Sequence, residues 1–94
     1  MAAGTAVGAA QPATHTIAID GATFAPPKVT VAAGDTLVWV NKDPYPHTAT
    51  SKAAGFDSKE LGEGKSFKFV AKKKGDFPYV CTLHPTMMGT ITVK

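Results

Sequence analysis

Thr36-Leu37-Val38-Trp39-Val40-Asn41 is the stretch that decides the fold. It is dense in β-branched and aromatic residues, which suit a pleated, half-buried surface. A period of two puts Leu37, Trp39 and Asn41 on one face and Val38 and Val40 on the other, and Gly34-Asp35 turns the chain just before it. Upstream, Thr14-His15-Thr16-Ile17-Ala18-Ile19 and Lys28-Val29-Thr30-Val31 alternate in the same way. Asp20-Gly21 marks a turn between them, and Pro26-Pro27 ends a brief Thr23-Phe24 segment. Downstream, Ser66-Phe67-Lys68-Phe69-Val70 alternates with both Phe inward, and Lys72-Lys73-Lys74-Gly75-Asp76 turns. Phe77, Tyr79 and Cys81 then share a face, and Gly89-Thr90-Ile91-Thr92-Val93 closes the chain. Residues 51–64 are irregular, with a short helical turn expected at Ser58-Lys59-Glu60-Leu61. About seven or eight short strands without a long helix predict an all-β fold, an antiparallel Greek-key β-sandwich.

With 94 residues, 44% of them hydrophobic, the chain suffices for one domain with a modest core. Residues 1–13 are expected to be a flexible lead-in, because Ala and Gly bury little, and residues 14–94 a single domain. The small-residue start fits the tail of a secretory signal or a start Met ahead of a mature protein. No apolar run reaches the length of a membrane span. All ten basic residues are Lys and the formal net charge is only +3, so the Arg forks that read phosphates and base edges are missing and nucleic acid is not an expected partner. The lysines read first as solubility and only second as steering toward an acidic protein.

Tyr79-Val80-Cys81-Thr82-Leu83-His84-Pro85-Thr86-Met87-Met88-Gly89 carries the chemistry. Cys81 is the only cysteine, so no internal disulfide can form. An exposed free thiol is a liability in an oxidising compartment. Metal ligation would settle that and would also help close a small core. Alternation turns Cys81 inward at a strand end, and His84 and the methionines follow as the chain turns back. His47 reaches the same end from a loop stiffened by Pro44 and Pro46, whereas His15 reads as an ordinary strand residue. Two His and one Cys form a trigonal nitrogen and sulfur set, and a long Met contact completes the donor pattern of a blue-copper electron-transfer site. Met87 and Met88 can both reach such a metal. The Lys72–Lys74 run belongs at the opposite end, since six residues of strand span roughly 20 Å.

Asn41–His47 together with Tyr79–Gly89 resembles the cupredoxin family, and Gly34–Asn41, Gly62–Phe67 and Gly75–Tyr79 are similar to its flanking strands and turns. The likeness covers nearly everything from residue 15 onward. The two-residue gap between His84 and Met87 is the amicyanin-like one, where plastocyanin and pseudoazurin have longer gaps, so the resemblance favours Met87 over Met88. It implies one type 1 copper ion held by His47, Cys81, His84 and Met87. It also implies that Asn41 ties the His47 loop to the Cys81 loop through Thr82, and that the Pro46 carbonyl sits near the metal opposite Met87. Val80 stands where plastocyanin has an exposed Tyr, so partner identity does not transfer.

The function expected is that of a small blue-copper carrier in the periplasm, a monomer and not an enzyme. It would exchange electrons with a c-type cytochrome or a dehydrogenase or oxidase docking near His84. Leu83, Pro85, Met88, Pro44 and Tyr45 would form the apolar surround. A copper-delivery protein, or an isolated type 1 domain of a larger copper enzyme, is the alternative. A zinc-stabilised module ranks last, because zinc sites are built from Cys, His and carboxylates.

Overall fold

The computed structural model describes residues 12–94. In chain order the strands are β1 (Thr14–Asp20), β2 (Thr23–Ala25), β3 (Lys28–Val31), β4 (Thr36–Asn41), β5 (Thr50–Ser51), β6 (Phe56–Asp57), β7 (Ser66–Val70), β8 (Gly75–Cys81) and β9 (His84–Val93). They form two sheets, ordered β2-β1-β4-β7 and β3-β9-β8-β5-β6. The expected sandwich is present, with mixed pairing: β1 runs parallel to β4 and β3 parallel to β9, while the other pairs are antiparallel. Of the lead-in expected at residues 1–13, all but Pro12 and Ala13 lies outside the described residues.

Alternation along β4 is carried into burial as the sequence requires. Leu37, Trp39 and Asn41 are buried, and Val38 and Val40 are half-covered. Trp39 is the centre of the core. Its ring meets Tyr79 edge-on at 5.3 Å and lies 5.1 Å from Phe56 and 5.8 Å from Phe67. Burying an aromatic or large aliphatic side chain contributes about 1.5–3 kcal/mol, so this cluster with Ile17, Ile19, Leu37 and Ile91 dominates the fold's stability. Tyr79 also fixes the neighbouring strand, because it pairs with Gly89 across β8 and β9. A Cβ at Gly89 would clash with the phenol end of Tyr79, so a larger residue fits only if that ring shifts.

No helical turn forms at Ser58–Leu61. Lys59 takes a left-handed φ of 61°, which stops a right-handed helix. Leu61 is drawn instead into a two-way backbone bridge with His47, at 3.1 and 2.8 Å. At the end of the sandwich where β1 and β4 begin, Asp35 clamps three donors: the Ala13 and Ala32 N–H groups at 2.9 and 3.0 Å, and His15 Nε2 at 2.9 Å.

Two outcomes follow. Gly89→Ala should lose about 1–3 kcal/mol, the range for overpacking a filled core, read from denaturant midpoints. His15, then the Ala13 and Ala32 N–H groups, hold the Asp35 carboxyl down to about 2. A depressed carboxylate stabilises the fold above its unfolded value and loses that contribution as pH falls through the folded one. Stability should therefore fall between about pH 4 and pH 2 in the parent protein, and acid titration of Asp35→Asn should show a shallower fall.

Candidate metal centre

β4 ends at Asn41, and its fully buried side chain organises the loop that follows. Asn41 Nδ2 donates to the carbonyls of Tyr45 and Leu61 at 2.9 and 2.8 Å, and Oδ1 accepts the Asp43 N–H at 2.9 Å. The expected link from Asn41 to Thr82 is thus replaced by a loop brace. Thr48 makes the cross-connection: Thr82 N–H donates to Thr48 Oγ1 at 2.9 Å, and the two hydroxyls lie 3.1 Å apart. The Thr48 N–H points at Cys81 Sγ, 3.3 Å away.

The structure brings His47, Cys81 and His84 together, and their donor atoms all lie within 4.8 Å of one another. Cys81 Sγ is 3.6 Å from His47 Nδ1 and 3.8 Å from His84 Nδ1. Those gaps suit a shared metal: trigonal bonds of about 2.0 Å to nitrogen and 2.3 Å to sulfur place the two donors about 3.7 Å apart. His47 and Cys81 are wholly buried, whereas His84 opens to solvent. Met87 is buried on the inward face of β9 and Met88 projects outward at 64% exposure, so alternation separates the two candidates. His15 lies at the far end, bonded to Asp35.

Asp43 is the residue the sequence reading passed over. Its carboxylate accepts Gly21 N–H at 2.8 Å, Ala22 N–H at 2.9 Å and His47 Nε2 at 2.8 Å. Burial opposes its charge, but the Ala22 and Gly21 N–H groups, with His47, outweigh that and hold the carboxyl below the usual range. An ionised carboxylate only accepts, so Nε2 of His47 carries the hydrogen and Nδ1 keeps its lone pair toward Cys81. The same carboxylate secures the β1–β2 turn, where Ala22 takes a left-handed φ of 56° that costs a non-glycine residue roughly 1–2 kcal/mol. In sequence, an Asp between a strand and two prolines reads as a turn former, and its partnership with His47 leaves no local trace.

In the core, the Tyr79 hydroxyl and the Trp39 indole N–H are buried without a hydrogen-bond partner among the described residues. Burial pushes the Tyr79 hydroxyl up to about 12, which keeps it protonated in the core.

Comparison with known proteins matches the cupredoxin-like domain family model to residues 1–93. The chain belongs to the cupredoxin-like family. This cupredoxin is 28% identical over 83 residues to amicyanin from Paracoccus versutus, which covers 83% of the chain and 63% of that relative. It therefore spans less than two thirds of the amicyanin. It is 31% identical over 84 residues to plastocyanin from Scenedesmus fuscus, covering 76% of the chain and 86% of the plastocyanin. It also superposes on a copper-containing nitrite reductase from Thermus scotoductus SA-01 with a TM-score of 0.81 and 28% identity, over 96% of this chain and 25% of that one. Family and donor set agree on the cofactor, one copper ion.

Asp43→Asn keeps the side chain's shape and removes its charge. Partners of metal-ligating histidines typically contribute 10–100-fold to affinity. The variant should bind Cu(II) about 10–100-fold more weakly, with a raised reduction potential, checked by competition titration and voltammetry.

Proposed function

We propose that this cupredoxin is a one-electron carrier in which His47, Cys81 and His84 would hold one copper ion, with Met87 as a weak fourth donor. The observation that carries the reading is the asymmetry of the cluster. Two of its three closely spaced donors are sealed in the core and the third, His84, meets solvent. Copper, when bound, supplies the Cu(II)/Cu(I) couple, and thiolate, imidazole and thioether donors together tolerate both states.

The protein's part is to hold those donors still. Asp43 fixes the His47 ring and is itself held by the β1–β2 turn, and Thr48 N–H fixes the Cys81 sulfur while its hydroxyl accepts the Thr82 N–H. The exposed imidazole edge of His84 gives an electron its shortest way out. Around it lie Leu83, next in the chain, and Tyr45, whose ring is 6.3 Å from that of His84; both are more than 40% exposed. Pro44, Pro46 and Pro85 are exposed in the same loops. Such an apolar surround suits brief, weak docking by a redox protein such as a c-type cytochrome, dehydrogenase or oxidase. Action as a monomer in the periplasm completes the reading, and no helix among the described residues is long and apolar enough to cross a membrane.

The match to a quarter of a nitrite reductase favours a second reading, a type 1 domain within a larger copper enzyme. On that reading a second copper site would draw its ligands from outside these residues. With His47 and His84 committed, His15 is the only histidine left, and it is bonded to Asp35, away from the cluster.

Adding Cu(II) to the apoprotein should give an intense thiolate-to-copper absorption band and narrow copper hyperfine splitting in EPR. Cys81→Ser should abolish the band. Met87→Ala should retain copper and shift the reduction potential, with Met88→Ala leaving it in place; the reverse pattern would make Met88 the axial ligand. Repeated oxidation and reduction should leave copper bound, whereas ready transfer to an acceptor apoprotein would favour copper delivery.

A further inference from the structure

The lysines are distributed unevenly between the two ends of the sandwich. Lys72, Lys73 and Lys74 occupy the β7–β8 turn, and Lys94 follows β9. Backbone hydrogen bonds gather these segments at one end: Gly34 N–H donates to the Ala71 carbonyl, Ala33 N–H to that of Lys94, and Lys94 N–H to that of Val31. All four lysines are exposed, and among the described residues none takes part in an ion pair. Two carboxylates, Asp35 and Asp76, lie at the same end, so the four lysines outnumber the acids there by two. Asp35 is bonded to His15 and two backbone N–H groups, and Asp76 accepts the Thr92 hydroxyl at 2.7 Å.

The copper end has the opposite balance. The strand registers place Asp20, Asp43, Asp57, Glu60 and Glu63 toward that end with Lys42, Lys59 and Lys65, while Lys28, Lys52 and Lys68 lie along the flanks. The chain enters the sandwich at the lysine end, where Ala13 is held by Asp35, and the residues before it bring no acidic side chain. The same end exposes Val70, Ala32 and Ala33. An apolar cleft opens there between Phe69, Ala71, Phe77 and Val93, and the stems of Lys72 and Lys73 wall it.

We propose that this lysine end docks on the surface of a bilayer containing anionic phospholipid, with the copper end turned away from it. The chemistry of the patch favours lipid over an acidic protein. Methylene stems and small apolar residues can lie along the headgroup region while the charges stay wet. The separation of charge along the molecule then orients it, attracting one end and repelling the other. His84 and its apolar surround are left free for a partner while the protein stays at the membrane.

The test uses the full copper-loaded chain and vesicles of phosphatidylglycerol and phosphatidylcholine, compared with phosphatidylcholine alone, in co-sedimentation at low and high salt. Each lysine near an anionic surface is worth about fivefold in partitioning. Replacing Lys72, Lys73 and Lys74 with Gln should thus weaken binding about 100-fold, with the visible spectrum and reduction potential of the copper unchanged. Replacing Lys42, Lys59 and Lys65 with Gln should leave binding nearly intact, because those charges lie beyond screening range of the docked surface. Salt should abolish binding, since surface charges are screened beyond about 8–10 Å in ordinary buffers. Absence of binding to the anionic vesicles at low salt, equal loss from both triple variants, or equal binding to neutral vesicles would overturn the proposal. So would binding to a polyglutamate column under conditions where anionic vesicles are ignored.

Discussion

The hydrogen bonds of Thr48 are the constraint on which the site depends. Cys81 and His47 are far apart in sequence, one ending β8 and the other in the connection from β4 to β5, and nothing in either local segment positions one against the other. Thr48 does so by accepting from Thr82 N–H while its own N–H reaches the Cys81 sulfur. The loop end and the strand end are thereby fastened at two adjacent points. With His47 next to Thr48 and bridged on its other side to Leu61, the imidazole has little freedom left. The donors therefore stand at metal-bridging separations through the protein's own bonding.

A second brace runs outward from the same loop. Asn41 holds the loop's carbonyls and the Asp43 N–H, and Asp43 holds both the His47 ring and the β1–β2 turn. Through this one carboxylate a strained hairpin in one sheet is linked to a candidate ligand over the other. Rigidity of this kind matches one-electron chemistry, in which any rearrangement between oxidation states slows the exchange. The outermost donor, His84, lacks such a brace and is the one exposed.

The fold was legible where burial alternates strongly. Leu37, Trp39 and Asn41 announced the buried face of β4, and Phe77, Tyr79 and Cys81 that of β8. The candidate site was legible because sulfur and nitrogen donors are rare and close together in sequence; alternation along β9 then separates Met87 from Met88 in the structure. Strand direction was not legible, since a period of two reads the same in parallel and antiparallel pairs, so the β1–β4 and β3–β9 pairings were missed. The helical turn expected at 58–61 failed because propensity carries no knowledge of the bridge that draws Leu61 to His47. Asp43 and Thr48 escaped for the same reason, as their partners lie in distant segments.

The central claim is that the protein imposes one donor arrangement on copper in both oxidation states. X-ray absorption spectroscopy of the Cu(II) and Cu(I) forms tests it most directly. The account predicts one short sulfur and two nitrogen neighbours in each form, with distances that differ by less than about 0.2 Å. A Cu(II) form without the short sulfur contact, or with a four-nitrogen and oxygen tetragonal shell, would contradict it.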